Sequence, residues 1–390
     1  MDVRIIPAVL RGSIPAISSK SYAQRTLIAA ALSERPTEVY INNISKDIQA
    51  VISALTGLGA KIEIEPGKVT VNSGSPPENP VVFCGESGTA ARLLLPVAAA
   101  ICDSATICGE GSLINRPFEA LIRAMEQNGC CFKNETLPIS FGKGIRPGDY
   151  TIRGDESSQY ISGLLFALPL LDGKSKLTLT TPLQSSGYVN MTIETLEKFG
   201  IRVKEMDAYE ITGKQKYSSP GEIMVERDWS NAAFWLAAGV EVTGLNMTSL
   251  QKDRQFTDVR NLNEIDATEI PDLVPILSVC AAVKEKETRI HGISRLRIKE
   301  SDRVKSVEQM LISLGAEVTV NENEIIIRGK KRLRGGTVES FNDHRIVMSA
   351  AIASCFCENE VIIRDAVAVE KSYPDFFEDF NLLGGNAYVV

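Results

Sequence analysis

Apolar residues recur at spacings of three and four along several stretches, and each stretch runs into a glycine followed by a short alternating segment. Residues 51–59, 121–129, 193–200, 307–315 and 376–384 all follow this pattern. The spacing predicts helices with one buried face, and the alternation predicts strands half-covered by those helices. Gly59, Gly129, Gly200, Gly315 and Gly384 stand where a left-handed residue ends a helix, a conformation glycine adopts without steric penalty. Successive glycines lie 70, 71, 115 and 69 residues apart. The long interval is too long for one unit and too short for two. It therefore holds two, one of them shortened near residues 251–270, where periodicity is weak and no glycine stop occurs. Six α+β units of this size pack better as two globular groups of three than as a rod.

Composition narrows the function classes. The chain has 390 residues, enough for two domains with full cores. A net charge of −7 supplies no general field for nucleic acid, so any anion site is a local gathering of Lys and Arg. The eight cysteines form no Cys-x-x-Cys pair and only two histidines exist, so neither metal nor redox chemistry is expected. The longest apolar runs, 93–102 and 161–171, are too short to span a bilayer, and the N-terminus shows no secretory pattern. A cytosolic protein is expected.

The local gatherings sit at predicted helix starts. Residues 295–303 hold Arg295, Arg297, Lys299 and Arg303 with Glu300 and Asp302, ahead of a helix burying Val304, Val307, Leu311 and Leu314. A helix beginning near Lys299 would place Lys299 and Arg303 one turn apart with Glu300 beside them. A carboxyl group among cations suits acid-base work on an anionic substrate. Ser19, Lys20, Ser21 and Arg25 open a helix over 22–32, and Gly88 and Arg92 open another after a strand at 81–83. Arg116 precedes a helix over 118–127; Ser157, Ser158 and Gln159 start an apolar one; Asn342, Asp343, His344 and Arg345 precede 346–354; Lys371 precedes the last. Each cluster alone reads as ordinary capping or a solvated charge run. Together they place cations repeatedly at the positive end of helices, against the dipole preference, and a bound anion would compensate.

In their order along the chain, these clusters resemble the 5-enolpyruvylshikimate-3-phosphate synthase family of enolpyruvyl transferases. The resemblance rests on Ser19-Lys20-Ser21 with Arg25, Ser87-Gly88-Thr89 with Arg92, Arg116-Pro117, Ser157-Ser158-Gln159, Ile270-Pro271-Asp272, Arg297 to Arg303, Asn342 to Arg345 and Lys371 to Asp375. It implies an α+β fold of two similar domains, each of three βαβαββ-type units with helices inside and sheets outside, an inverse α/β prism. Residues 1–18 plus 228–390 would form one domain and 19–227 an inserted one, with the active site in the cleft between them. It implies transfer of the enolpyruvyl group of phosphoenolpyruvate to the 5-hydroxyl of shikimate 3-phosphate, without metal or cofactor, by a monomer with no nucleic-acid or membrane partner. Lys20, Ser21, Arg25, Ser157, Ser158, Gln159, Ser185, Asp272 and Lys299 match positions binding shikimate 3-phosphate, and Tyr188 lies near the sugar-acid ring. Lys20, Gly88, Arg116, Gln159, Arg303, Arg345 and Lys371 match positions binding phosphoenolpyruvate. Glu300 is implied as the acid, and Asp272 with Lys20 as the proton acceptor. The chain departs from the family at Ile17-Ser18, at Glu86 where many members have Asn, and at Lys252-Asp253. The sister transferase acting on UDP-N-acetylglucosamine and a non-catalytic phosphate-ligand binder are the competing expectations.

Overall fold

Two units make up the computed structural model, which describes residues 1–390: an inserted unit, Ser18–Glu226, and a terminal unit of Met1–Ile17 with Arg227–Val390. The inserted unit holds three separate sheets. In the first, Glu222–Met224, Thr37–Tyr40, Lys68–Asn72 and Lys61–Glu65 lie side by side. Its last strand in sequence pairs in parallel with Thr37–Tyr40, Ile223 opposite Val39, so the segment leaving the unit completes the sheet that the entering segment began. The second sheet is Val81–Phe83, Ala105–Cys108 and Ile139–Phe141, and the third Val203–Glu205, Tyr209–Ile211, Ser175–Leu179 and Asp149–Ile152. Each repeat joins parallel strands through a helix and ends in antiparallel pairing.

Two kinds of helix follow from two kinds of sequence. Gly88–Ile101 and Ser158–Ala167 are apolar all round and almost wholly buried, as helices enclosed by other elements must be. They pack closely because Gly163 has no side chain: a Cβ there would stand 2.5 Å from the carbonyl oxygen of Arg92. Glu119–Glu126 is amphipathic and buries only Leu121, Ile122, Ala124 and Met125. The glycine stops behave as the pattern requires, with φ between +78° and +96° at Gly59, Gly129, Gly200, Gly315 and Gly384.

The terminal unit repeats this plan twice in full. Its four-stranded sheets are Gly336–Glu339, Val361–Arg364, Val3–Ile5 and Ala387–Val389, then Glu264–Asp266, Glu287–His291, Glu324–Arg328 and Glu317–Val320. The third sheet is only Glu241–Thr243 beside Ser13–Pro15. After it the chain makes a 3-10 turn, Lys252–Gln255, and one four-residue helix, Phe256–Val259, then enters the next repeat at Glu264. The shortened unit thus has no counterpart of the hairpin Glu317–Val320 with Glu324–Arg328, or of the antiparallel pair Val3–Ile5 with Ala387–Val389, that close the other two.

One local expectation is corrected. The helix after the charged segment is Arg303–Ser313, not one beginning near Lys299. Asp302 caps it by accepting from the Lys305 amide, and a short polar acceptor at the cap outweighs the helix propensity of Lys299 and Glu300. Lys299 is extended and follows the 3-10 turn Ser294–Ile298. Glu300 therefore reaches its neighbours from a loop. No helix is long and apolar enough to cross a membrane, and all eight cysteines are unpaired.

Candidate functional site

Helix starts divide into two classes. Lys46–Gly57, Glu119–Glu126 and Phe376–Leu382 carry acids in the first turn, as the helix dipole favours. Lys20–Ala31, Gly88–Ile101, Ser158–Ala167, Ser186–Lys198, Arg303–Ser313 and His344–Ser354 carry none. These six carry Lys20, Gly88, Gln159, Tyr188, Arg303 and Arg345, whereas Arg116 and Lys371 precede the acid-bearing helices Glu119–Glu126 and Phe376–Leu382.

In the inserted unit, Lys20 opens its helix and its Nζ lies 2.8 Å from Asp47 Oδ2. Arg25, one turn on, is sealed at 1% exposure. Its Nε donates to Thr192 Oγ1 at 2.8 Å, its Nη1 to the Ser21 carbonyl at 2.8 Å, and its guanidinium sits 5.8 Å from the Tyr188 ring centre. No carboxylate neutralises it. Burial pulls its pKa down to about 10, which leaves it charged at neutral pH. A second buried cation, Arg92, likewise lacks a carboxylate, and burial brings it to about 10 too. Arg116 lies across Gly88 so closely that a Cβ there would be 2.3 Å from its Nη1, so the missing side chain is what admits the guanidinium. Ser157 stands extended just before the helix of Ser158 and Gln159, its side chain making no cap hydrogen bond, and Ser185 holds a left-handed backbone at φ 54° just before the helix of Tyr188. A serine in that conformation is a strained feature of the kind found at binding sites. Glu86 bends toward the turn before Arg116, with Oε2 3.4 Å from the Ser112 amide nitrogen.

The terminal unit has the opposite electrostatics. Arg303 is sealed at 1% exposure, yet it meets three carboxylates: Asp272 Oδ1 at 2.9 Å from Nη1, Asp343 Oδ2 at 3.0 Å from Nε, and Glu300 Oε2 at 3.5 Å from Nη2. Burial opposes its charge, but Asp343, Asp272 and Glu300 outweigh burial and raise its pKa above the ordinary arginine value. His344 Nδ1 stands 2.9 Å from Glu300 Oε2. Side-chain exposure separates the members: Arg303, Asp343 and His344 are sealed at 1%, 0% and 1%, whereas Asp272 and Glu300 keep 16% and 18%. Two accessible carboxylates thus sit on opposite nitrogens of one buried guanidinium. Glu300, Asp343 and His344 also gather potential ligand atoms within 4.8 Å, but Arg303 already supplies a cation to both carboxylates. Arg345 joins through Asp272 Oδ2 at 3.3 Å and the Asp272 carbonyl at 3.1 Å, and Lys371 donates to the Asn342 carbonyl at 2.9 Å. That carbonyl belongs to a turn in which Phe341 and Asn342 both have positive φ. Lys299 is half-buried in the extended segment before Glu300.

Some participants carried no readable signal. Asp47 and Thr192 meet Lys20 and Arg25 only through folding. Asp253, buried in the shortened repeat, backs Arg345 through Ser230, which accepts from Arg345 Nη1 at 2.7 Å and also bonds the Asp253 carboxyl. Burial, then the nearby Asp272 charge, raise the Asp253 pKa. With the folded value raised, Asp253 favours the native state fully at low pH, and that contribution is lost as pH climbs from 3.8 through the raised value. Asp253→Asn keeps an acceptor for Ser230 without the charge. Its Tm relative to the unsubstituted chain is therefore expected to improve from pH 5 to pH 8, read by calorimetry at each pH; a flat or falling difference would contradict the burial penalty.

Comparison with known proteins shows the family. The family model described as EPSP synthase (3-phosphoshikimate 1-carboxyvinyltransferase) matches residues 6–259 and 238–380. The two matches overlap across the shortened repeat. A 3-phosphoshikimate 1-carboxyvinyltransferase of Clostridium novyi is 39% identical, covering 98% of each chain, and that of Clostridium acetobutylicum is 38% identical, covering 99% of this chain and 98% of that one. The first alignment spans 431 positions against 390 residues here, so part of the relative has no counterpart in this chain. A solved EPSP synthase from Acinetobacter baumannii superposes with a TM-score of 0.82 at 25% identity, covering all of both chains. The chain belongs to the EPSP synthase family.

Proposed function

We infer that this chain transfers the enolpyruvyl group of phosphoenolpyruvate to the 5-hydroxyl of shikimate 3-phosphate and releases phosphate. The single observation carrying this reading, beside family membership, is the pair of accessible carboxylates, Asp272 and Glu300, fixed on one sealed guanidinium. A protein that merely binds anions needs the cations but not this pair. In this reading Lys20, Ser21, Arg25, Ser157, Ser158, Gln159, Ser185, Asp272 and Lys299 hold shikimate 3-phosphate. Lys20, Gly88, Arg116, Gln159, Arg303, Arg345 and Lys371 hold phosphoenolpyruvate. Its phosphate and carboxylate compete with Asp272 and Glu300 for Arg303 and Arg345, which loosens both carboxyl groups as the ligand arrives.

Glu300 then gives its proton to the methylene carbon, and the adjacent carbon becomes electron-poor. The 5-hydroxyl oxygen bonds to that carbon while Asp272, assisted by Lys20, takes the hydroxyl proton. In the second half the roles reverse: the methyl group returns a proton to Glu300, the carbon–phosphate oxygen bond breaks, and Asp272 passes its proton to the departing phosphate oxygen. Fixed arginines and lysines stabilise the developing charge without reorganising. One chain supplies every residue, so a monomer suffices, and eight unpaired cysteines suit a reducing cytosol.

A phosphate-release assay tests the reading. Phosphate should appear only when both substrates are present. Release with UDP-N-acetylglucosamine in place of shikimate 3-phosphate would reassign the chain to the sister activity, and tight binding without release would make it a binder.

A further inference from the structure

We propose that Arg92 is a positioning residue that fixes the side-chain amide of Gln159 as a hydrogen-bond donor toward phosphoenolpyruvate, an inference resting on the function above. Arg92 Nη1 donates to Gln159 Oε1 at 3.0 Å, and Gln159 Nε2 donates to Thr89 Oγ1 at 2.8 Å. An arginine has no acceptor, so only the amide oxygen can face it. The amide is thereby held in one of its two orientations, with one further N–H of Nε2 left for an anion. Without Arg92 the amide is free to turn over, and its carbonyl then meets the anion instead.

Arg92 is itself anchored on its other side by the backbone that follows Arg116. Its Nη2 donates to the carbonyl of Pro117 at 3.0 Å, directly after Arg116, and the Tyr160 hydroxyl donates to the same oxygen at 2.6 Å. Its guanidinium lies 5.5 Å from the Phe118 ring centre and 5.2 Å from that of Tyr160, and its Nε is enclosed without a partner. The two rings enclose it and its Nη1 and Nη2 are turned to Gln159 and Pro117, so it acts through Gln159. As a purely structural member it would be a poor one. A buried cation without a carboxylate is costly, and an apolar side chain of similar volume would fill the space more favourably.

The test is a double-mutant cycle on the full chain, reading KM for each substrate, kcat and Tm. Arg92→Met should raise KM for phosphoenolpyruvate about tenfold, the order set by one lost hydrogen bond to a charged ligand. In a Gln159→Ala background the same change should move KM for phosphoenolpyruvate by no more than about twofold, since its target is gone. Thr89→Val removes the other restraint on the amide while leaving the buried cation alone, and should raise the same KM by about threefold, again only when Gln159 is present. Should Arg92→Met fail to fold, the Thr89→Val arm decides alone. Equal fold-changes in both backgrounds would overturn the positioning role. An unsubstituted chain that releases no phosphate would instead overturn the function itself.

Discussion

Glu300→Gln is expected to reduce turnover by about 10²–10⁴-fold, the usual range for losing a positioned acid. Binding of shikimate 3-phosphate should stay within about twofold, because the amide keeps the shape of the carboxyl and removes only its transferable proton. The location of Glu300 explains why the loss should be specific. It is the accessible end of a network whose other members, Arg303, Asp343 and His344, are sealed beneath it. The backing on Glu300 is weak on one side, at 3.5 Å to Arg303, and close on the other, at 2.9 Å to His344 Nδ1. Glutamine retains an oxygen able to accept from either, so the fold should hold. Measuring phosphate release together with calorimetric binding separates the two effects. A kcat within threefold of the unsubstituted chain would remove Glu300 from the proton-transfer steps.

Local signals carried the fold because each repeat announces its own end. A glycine forced into left-handed backbone is visible in one dimension, and five of them counted the units before any packing was known. The shortened unit was visible for the same reason, as an interval that fits neither one repeat nor two. What it lacks was not visible: the missing antiparallel pair shows only once Glu241–Thr243 is seen pairing with Ser13–Pro15 alone. The helix start at Arg303 differs because good helix formers begin at Lys299, and Asp302 prevails over their propensity by accepting from the Lys305 amide.

The site was legible as a set of residue types and much less so as electrostatics. Cations at helix starts can be read from sequence, but their neutralising partners come from far along the chain. Asp47 is 27 residues from Lys20, Asp272 is 31 from Arg303, and Ser230 is 115 from Arg345. Only the fold shows that Arg303 is heavily compensated while Arg25 and Arg92 are not. That contrast alters what each arginine can do. A compensated arginine offers an anion an exchange, and a bare buried one offers an unmet charge.

Arg25 is where the unmet charge should be measured most directly. Replacing it with methionine keeps most of its volume and removes the guanidinium, so the ligand-free protein should be no less stable and its Tm should hold or rise. Desolvation of a cation without a carboxylate partner already works against the folded state, as the fall of its pKa to about 10 records. Two hydrogen bonds oppose this gain, from Nε to Thr192 and from Nη1 to the Ser21 carbonyl, but neither acceptor is left isolated: the Thr192 hydroxyl still bonds Ser162 and the Tyr188 carbonyl, and the Ser21 carbonyl lies within a helix. Affinity should move the other way. Loss of a buried charged contact to an anion costs about 2–5 kcal/mol, which lowers affinity for shikimate 3-phosphate roughly 30-fold or more. Thermal unfolding without ligand and titration calorimetry with shikimate 3-phosphate read the two halves independently. A variant that loses stability and keeps its affinity would show Arg25 to be part of the scaffold, with the anion held elsewhere.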